Sequence, residues 1–206
     1  MLSLLSIIAL IIAITVHEFS HALVADHLGD PTPRAAGRLT LNPLAHADLI
    51  GTILLPLLSA LTGLPTIGWA KPVPIDPYNL KNPRRDETLI ALAGPASNLF
   101  FATLGAVIIR TTIIPQLNTV LFMVVLINVT LCIFNLIPLW PLDGSKVLLN
   151  LLPIETSIAW QEALSRYSLP LLLLLIFLPI GQSNILQLIL TPTTSFLLHL
   201  LLSNFY

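Results

Sequence analysis

Charge is what this 206-residue chain has least of: Asp, Glu, Lys and Arg make up 9% of it, against roughly a quarter of an ordinary soluble domain. Nine basic and ten acidic residues leave a formal net charge of −1. There is therefore no basic surface for gripping nucleic acid and no charged tail to read as a disordered arm. The single cysteine, Cys132, excludes an internal disulfide framework and any multi-cysteine zinc or iron–sulfur site within one chain. The first apolar run carries no basic n-region and no small-residue cleavage site, so it reads as a retained helix rather than a signal peptide. Internal repeats and low-complexity tracts are also missing.

What remains is apolar. Hydrophobic residues make up 55% of the chain and the mean hydropathy is +0.90, the composition of an integral, multi-pass membrane protein. A crossing takes about 20 residues, because a helix rises 1.5 Å per residue through a core of about 30 Å. The length therefore predicts one all-α membrane domain, residues 1–206, with about five to six transmembrane helices. Apolar runs place helices over Leu2 to about His27, Thr88–Ile109 and Leu117 to about Asp143, with a C-terminal helical hairpin over about 165–203 built from Ser168–Ile180 and Ile185–Leu202. Between Leu49 and Ile67 the apolar run is interrupted by Gly51, Pro56, Gly63 and Pro65. Broken backbone at membrane depth needs protein or a cavity around it. The Pro-dense stretch Lys71–Pro83 cannot be helical and predicts an extended loop or short edge strands between the first helix and the next full span.

The chemistry lies in ionisable residues inside these spans, which cost several kcal/mol unless something offsets them. His17, Glu18 and His21 form H-E-x-x-H. The i, i+4 spacing stacks both imidazoles on one helix face, where they can share a metal. Glu18 stands about 100° round the helix, from which it can act as general base on a water activated by the ion. A catalytic zinc needs a third protein ligand, and with no cysteine set the outstanding candidate is Asp143, in a stretch broken by Pro138, Pro141 and Gly144. Taken alone, Asp-Gly is equally a turn signal.

These residues resemble the site-2 protease family of intramembrane zinc metalloproteases (peptidase family M50), in a short form without a PDZ or CBS module. The resemblance is carried by His17-Glu18-Phe19-Ser20-His21, Gly94-Pro95-Ala96-Ser97-Asn98, and Asn135-Leu136-Ile137-Pro138 followed by Pro141-Leu142-Asp143-Gly144. Gly68–Val73 and Gly37–Pro43 also look like the family's connecting segments. The resemblance implies one zinc ion held by His17, His21 and Asp143, with Glu18 as acid/base, and a catalytic core over about residues 1–150. The implied reaction is hydrolysis of peptide bonds within or near transmembrane segments of other membrane proteins.

Depth and parity add two expectations. If the His pair and Asp143 share an ion, their helix ends meet on one side, so the Leu49–Ile67 segment must re-enter rather than cross. That arrangement puts eight of the nine basic residues on the side of the site and leaves Arg110 opposite, which makes the site side cytoplasmic and the N-terminus external. Asn98, Asn128 and Asn135 are candidates for steadying a peptide or an oxyanion, with interhelical hydrogen bonding as the rival role. Lys71 and Pro72, on the extended edge, and His46, beside the interrupted segment, are candidates for substrate contact. Trp69, Trp140 and Trp160 flank apolar stretches and read as interface anchors. Expected partners are membrane lipid and transmembrane-segment substrates; an oligomer or a regulatory membrane partner is compatible with the chain, and nucleic acid is not. Buried ionisable groups also mark ion pathways, so an ion or solute transporter is the alternative, as is a catalytically inactive membrane adaptor.

Overall fold

The computed structural model describes residues 4–54, 61 and 69–202. Its elements in chain order are α1 (Leu4–Leu28), α2 (Thr32–Ala35), α3 (Pro43–His46), a π-helical turn (Leu49–Leu54), a 3-10 turn (Pro77–Asn79), α4 (Pro83–Thr111), α5 (Pro115–Asn135), α6 (Asp143–Leu151), α7 (Ile154–Phe177), the two-residue strands β1 (Pro179–Ile180) and β2 (Ser183–Asn184), and α8 (Ile185–Leu202). Among the described residues, four helices are long and apolar enough to cross a membrane: α1, α4, α5 and α8.

Each boundary has a local cause. α1 ends where Gly29 adopts φ +108°, with Gly29 N–H on the Asp26 carbonyl and Asp30 N–H on the Ala25 carbonyl. This is the Schellman pattern, which a residue without Cβ adopts at least cost. Asp30, fully buried, then ties the end of α1 to the approach to α4. It accepts from the Thr32 N–H and hydroxyl, the Asn79 amide and the Asp76 N–H at 2.5–3.0 Å. Burial pushes its carboxyl up, but the Thr32, Asp76 and Asn79 donors outweigh it and hold the pKa below the ordinary 3.8. Pro83 at the first position of α4 and Pro115 at that of α5 supply the helical φ where no N–H is needed.

α1 and α5 both run antiparallel to α4. His21 meets Ile90, and His17 and Ala13 meet Asn98 one to two turns further along; Asn98 in turn meets Asn128. Small residues let the backbones approach: an ideal Cβ on Gly105 would lie 2.9 Å from Val125 Cγ2. The buried cluster there comprises Ala102, Ala106, Ile109, Val125, Val129 and Leu202. In lipid such packing replaces the hydrophobic drive that water supplies elsewhere, and large apolar side chains such as Ile8, Ile12, Phe100 and Leu104 remain on the outside. α8 runs toward the far end of α4, where the Arg110 guanidinium donates to the Leu201 carbonyl at 2.7 Å.

Several sequence boundaries move. The third apolar helix stops at Asn135, not near Asp143, because the Leu136–Leu142 loop, with a cis Trp140–Pro141 bond, intervenes and Asp143 opens α6 instead. Of Ser168–Ile180, the residues up to Phe177 are the latter part of α7 and Pro179–Ile180 is β1; the first half of α7 carries Glu155, Glu162 and Arg166, so α7 is not among the four membrane-length apolar helices. The described residues between α1 and α4 form no strand: Pro72, Pro74 and Pro77 have no N–H to give to a ladder. The only strands among the described residues are β1 and β2, between α7 and α8. The Leu49–Ile67 re-entry falls mostly outside the described residues, but its flanks are adjacent. Trp69 N–H bonds the Gly51 carbonyl at 3.2 Å and the Thr52 hydroxyl bonds the Trp69 carbonyl at 2.9 Å.

Candidate metal centre

The H-E-x-x-H turn lies in the second half of α1, facing α4. His17 and His21 are 5% and 6% exposed, and their rings stand perpendicular with centroids 4.6 Å apart. Each Nδ1 is committed as a donor. His21 Nδ1–H bonds the Ile90 carbonyl of α4 at 2.6 Å. His17 Nδ1 meets Asn98 Oδ1 at 2.7 Å. Two carbonyls fix the direction of that bond, because they can only accept. Asn128 Nδ2 donates to Val124 O (2.9 Å), which leaves Asn128 Oδ1 to accept from Asn98 Nδ2 (2.9 Å). Asn98 Nδ2 also reaches Ala13 O at 3.4 Å, so Asn98 Oδ1 is left to accept from His17. The second nitrogen of each ring, Nε2, is thereby left as a lone-pair donor pointing away from α4's hydrogen bonds. Orienting an imidazole through its other nitrogen is what metal-ligating histidines require.

Asp143 completes the cluster. The distances are 3.0 Å between the two Nε2 atoms, 3.1 Å from His17 Nε2 to Asp143 Oδ2 and 3.2 Å from His21 Nε2 to Asp143 Oδ2. Asp143 Oδ2 is buried and has no hydrogen-bond partner. With both Nδ1 atoms carrying the ring protons, three electron-pair donors converge with no proton between them. An unscreened cluster of this kind is costly in a low-dielectric interior and becomes favourable around a cation. Ligand atoms about 2.0–2.1 Å from zinc stand roughly 3.3 Å apart in a tetrahedron, so two imidazoles and one carboxylate at these separations fit a single zinc ion and leave a fourth position free.

Two glycines make the approach possible. A Cβ on Gly94 would clash with His21 Nε2 and lie 2.6 Å from His17 Nε2, so the two imidazoles crowd the space a side chain would take. A Cβ on Gly144 would press on the Leu136 backbone and lie 2.6 Å from the Ile137 carbonyl oxygen. Gly144 therefore lets the first turn of α6 sit directly on the loop after α5 and carry Asp143 to the histidines. The Ser145 hydroxyl donates back to Leu142 O at 2.7 Å, closing that turn. The other end of α6 is held by α4 and α7. The Arg84 guanidinium donates to the Leu149 and Leu152 carbonyls, the Asn150 amide to Glu87 Oε2, and the Ser157 hydroxyl to Leu149 O.

The remaining candidates are spread more widely. Glu18 is half-buried beside His17 and makes no hydrogen bond or ion pair with the described residues. Asn98 and Asn128, 1% and 4% exposed, stand behind His17 with their amides committed to one another and to backbone. Their hydrogen bonds link α1, α4 and α5 through His17, the Ala13 carbonyl and one another. Asn135, at the end of α5, donates to Leu131 O within its own helix. His46 is buried and bonds Thr40 O through Nε2, with Nδ1 unpaired, and its carbonyl receives the N–H of exposed Lys71. His46, Lys71 and the exposed Pro72 make no hydrogen bond or ion pair with the three donors. Sequence reasoning missed Gly94 as a packing element and the Ile90 carbonyl as a partner of His21. The small residue in a span could have signalled the first; a backbone carbonyl has no signal in residue type.

The family model described as Peptidase family M50 matches residues 111–178, which include Asp143. "Putative zinc metalloprotease YwhC" of Bacillus subtilis (strain 168) is 34% identical over 186 residues, covering 85% of this chain and 81% of that protein. The chain belongs to peptidase family M50. Two further relatives are each named "Putative zinc metalloprotease Rip2". That of Mycobacterium tuberculosis (strain ATCC 25618 / H37Rv) is 32% identical, and that of Mycolicibacterium smegmatis (strain ATCC 700084 / mc(2)155) is 33% identical. The alignments cover 82% and 74% of this chain but only 65% and 59% of those proteins. No solved structure matches the chain. An M50 chain whose two histidines and aspartate converge between apolar helices is a zinc-dependent intramembrane peptidase.

Proposed function

We propose that this M50 peptidase cuts a transmembrane segment of another membrane protein near the membrane's cytosolic face, with His17, His21 and Asp143 as zinc ligands and Glu18 as acid/base. The observation that carries the reading is the buried triangle of His17 Nε2, His21 Nε2 and Asp143 Oδ2, 3.0–3.2 Å on a side. Zinc held there supplies Lewis acidity toward a water molecule and a peptide carbonyl. Glu18 takes the proton of the attacking water as the C–O bond forms and returns it to the amine nitrogen as the C–N bond breaks. The His17–Asn98–Asn128 chain keeps His17 in the tautomer that presents Nε2, and the Ile90 carbonyl does the same for His21. Purified Glu18→Gln protein should keep its zinc and lose cleavage of a single-span substrate; cleavage at the wild-type rate would refute the assignment.

A helical substrate pairs its own backbone amides and shields its carbonyls until it unwinds. The described segment Trp69–Asp76 offers replacement partners: among the described residues, the Val73 and Ile75 N–H groups and the carbonyls of Lys71–Ile75 form no hydrogen bond. An unwound substrate adds there as a strand, which Val73→Pro should weaken through KM; an unchanged KM would remove the idea.

Residues 1–206 act in this reading as one membrane domain with its catalytic core over about 1–150. α1, α4, α5 and α8 cross. The end of α1 and the start of α4 lie together, which supports an even number of crossings between them and, with the paired Gly51 and Trp69 backbones, re-entry of the Leu49–Ile67 segment. Arg110 lies at the end of α4 away from the site, while Arg34, Arg84 and Lys146 lie on the site's side, which supports a cytosolic site and an external N-terminus. Cysteines introduced at exposed Tyr78 and Ile113 should label from the cytosolic and external sides respectively; labelling of both from one side would overturn the topology.

A further inference from the structure

Beside the metal centre lies a second feature that the reaction itself does not use. A cavity of about 390 Å³ opens between the Val73–Ile75 edge, the start of α4, α6 and α7. Its apolar wall includes Val73, Ile75, Ile90, Leu149 and Leu164, and its polar groups include Glu87, Lys146 and Gln161. Two members tie it to the donor triangle: the Ile90 carbonyl holds His21, and Ser145, which also lines it, follows Asp143 by two residues. Ile75 packs against the cluster of Ala25, Leu80 and Ile90, in which Ala25 lies one turn of α1 beyond His21.

We propose that this cavity is a specificity pocket that takes one bulky apolar or aromatic side chain of the substrate, from the unwound segment next to the scissile bond on the basic side of the membrane. The proposal rests on the peptidase reading above and adds to it which substrates are chosen. Register sets the form of the occupant. Val73 and Ile75 both line the cavity while Pro72 and Pro74 are exposed, so a strand added to this edge directs alternate side chains to the same face. The mixed wall suits an apolar body, because the side chain leaves water for Val73, Ile75, Ile90, Leu149 and Leu164 while Gln161 and Ser165 are exposed to solvent and Glu87 accepts from the Asn150 amide.

The test is a series of single-span substrates in proteoliposomes that differ only at the residue flanking the cut, Phe, Leu, Ala or Ser. The wild type should prefer Phe over Ala by roughly tenfold or more in kcat/KM, carried mainly by KM. Gln161→Trp and Ser165→Trp fill the cavity from α7 and should raise KM for the Phe substrate and bring the Phe/Ala ratio toward one, with zinc content unchanged. An unchanged ratio in both zinc-loaded variants overturns the proposal. Crosslinking needs no turnover and covers the case of a variant that does not cleave. A benzophenone side chain at the flanking position, presented to the Glu18→Gln protein, should capture α7 within 157–165 or α6 within 145–150. Capture only on the lipid-facing side chains of α4 or α5 overturns the pocket. Equal cleavage of every substrate by wild type and Glu18→Gln refutes the peptidase assignment instead, so the two failures are told apart.

Discussion

Replacing Gly94 by alanine adds one carbon at the point where α4 meets both imidazoles. That Cβ would lie 2.6 Å from His17 Nε2, whereas ordinary Cβ contacts begin at 3.4 Å, a shortfall of about 0.8 Å. The rings cannot swing clear cheaply, since His17 is held by Asn98 at 2.7 Å and His21 by the Ile90 carbonyl at 2.6 Å. Either those bonds break or α1 and α4 move apart, and a shift of this size is several times the roughly 0.2 Å within which metal–ligand distances hold. Overpacking costs about 1–3 kcal/mol, so zinc affinity should fall by roughly one to two orders of magnitude. The assay is zinc competition against a chromogenic chelator on purified protein in detergent, with helical circular dichroism as the control for folding. A folded Gly94→Ala protein that binds zinc as tightly as wild type and cleaves at the same rate would refute the claim that the two imidazoles crowd this space.

Asn128→Ala removes the group that directs the Asn98 amide, two hydrogen bonds from His17, and should weaken zinc about 10- to 100-fold; Asn128→Gln, which can restore the amide, should recover part of it, and zinc affinity unchanged in the alanine variant would show that the chain does not orient His17. Asp30→Asn turns an acceptor that holds four donors into a group that meets the Asp76 N–H with another N–H, so the thermal midpoint at neutral pH should drop. Because the Asp30 pKa is depressed on folding, its contribution is full above the unfolded value of 3.8 and is lost as pH falls through the folded value. The gap between wild type and variant, followed by pH-dependent thermal unfolding, should therefore close in acid; a gap that stays constant below pH 3.8 would contradict this.

The parts of the site that were legible in the sequence are those carried by local periodicity. His17 and His21 share a face because any helix puts i and i+4 together, and Asp143 stood out because cysteine was absent and the resemblance supplied its role. How Asp143 arrives was not legible. The apolar run suggested a span ending at the aspartate, but the Pro138–Pro141 loop and the contact of Gly144 with the Leu136–Ile137 backbone make Asp143 the start of a new helix. The asparagines were visible as polar groups in apolar helices, yet whether they face a substrate or a histidine depends on the register between α1, α4 and α5, which composition does not encode. The bounds of α7 were illegible for a related reason: its leucine-rich second half stands out as an apolar run, while the helix itself continues back through a charged first half.

The central claim is that two imidazoles and one carboxylate hold a single zinc inside the membrane. Zinc K-edge absorption combined with metal analysis of the purified protein tests it most directly. One zinc per chain should appear, coordinated only by nitrogen and oxygen, and His17→Ala, His21→Ala and Asp143→Ala should each lose it while remaining folded. Zinc retained at full stoichiometry and with an unchanged spectrum in Asp143→Ala would contradict the account.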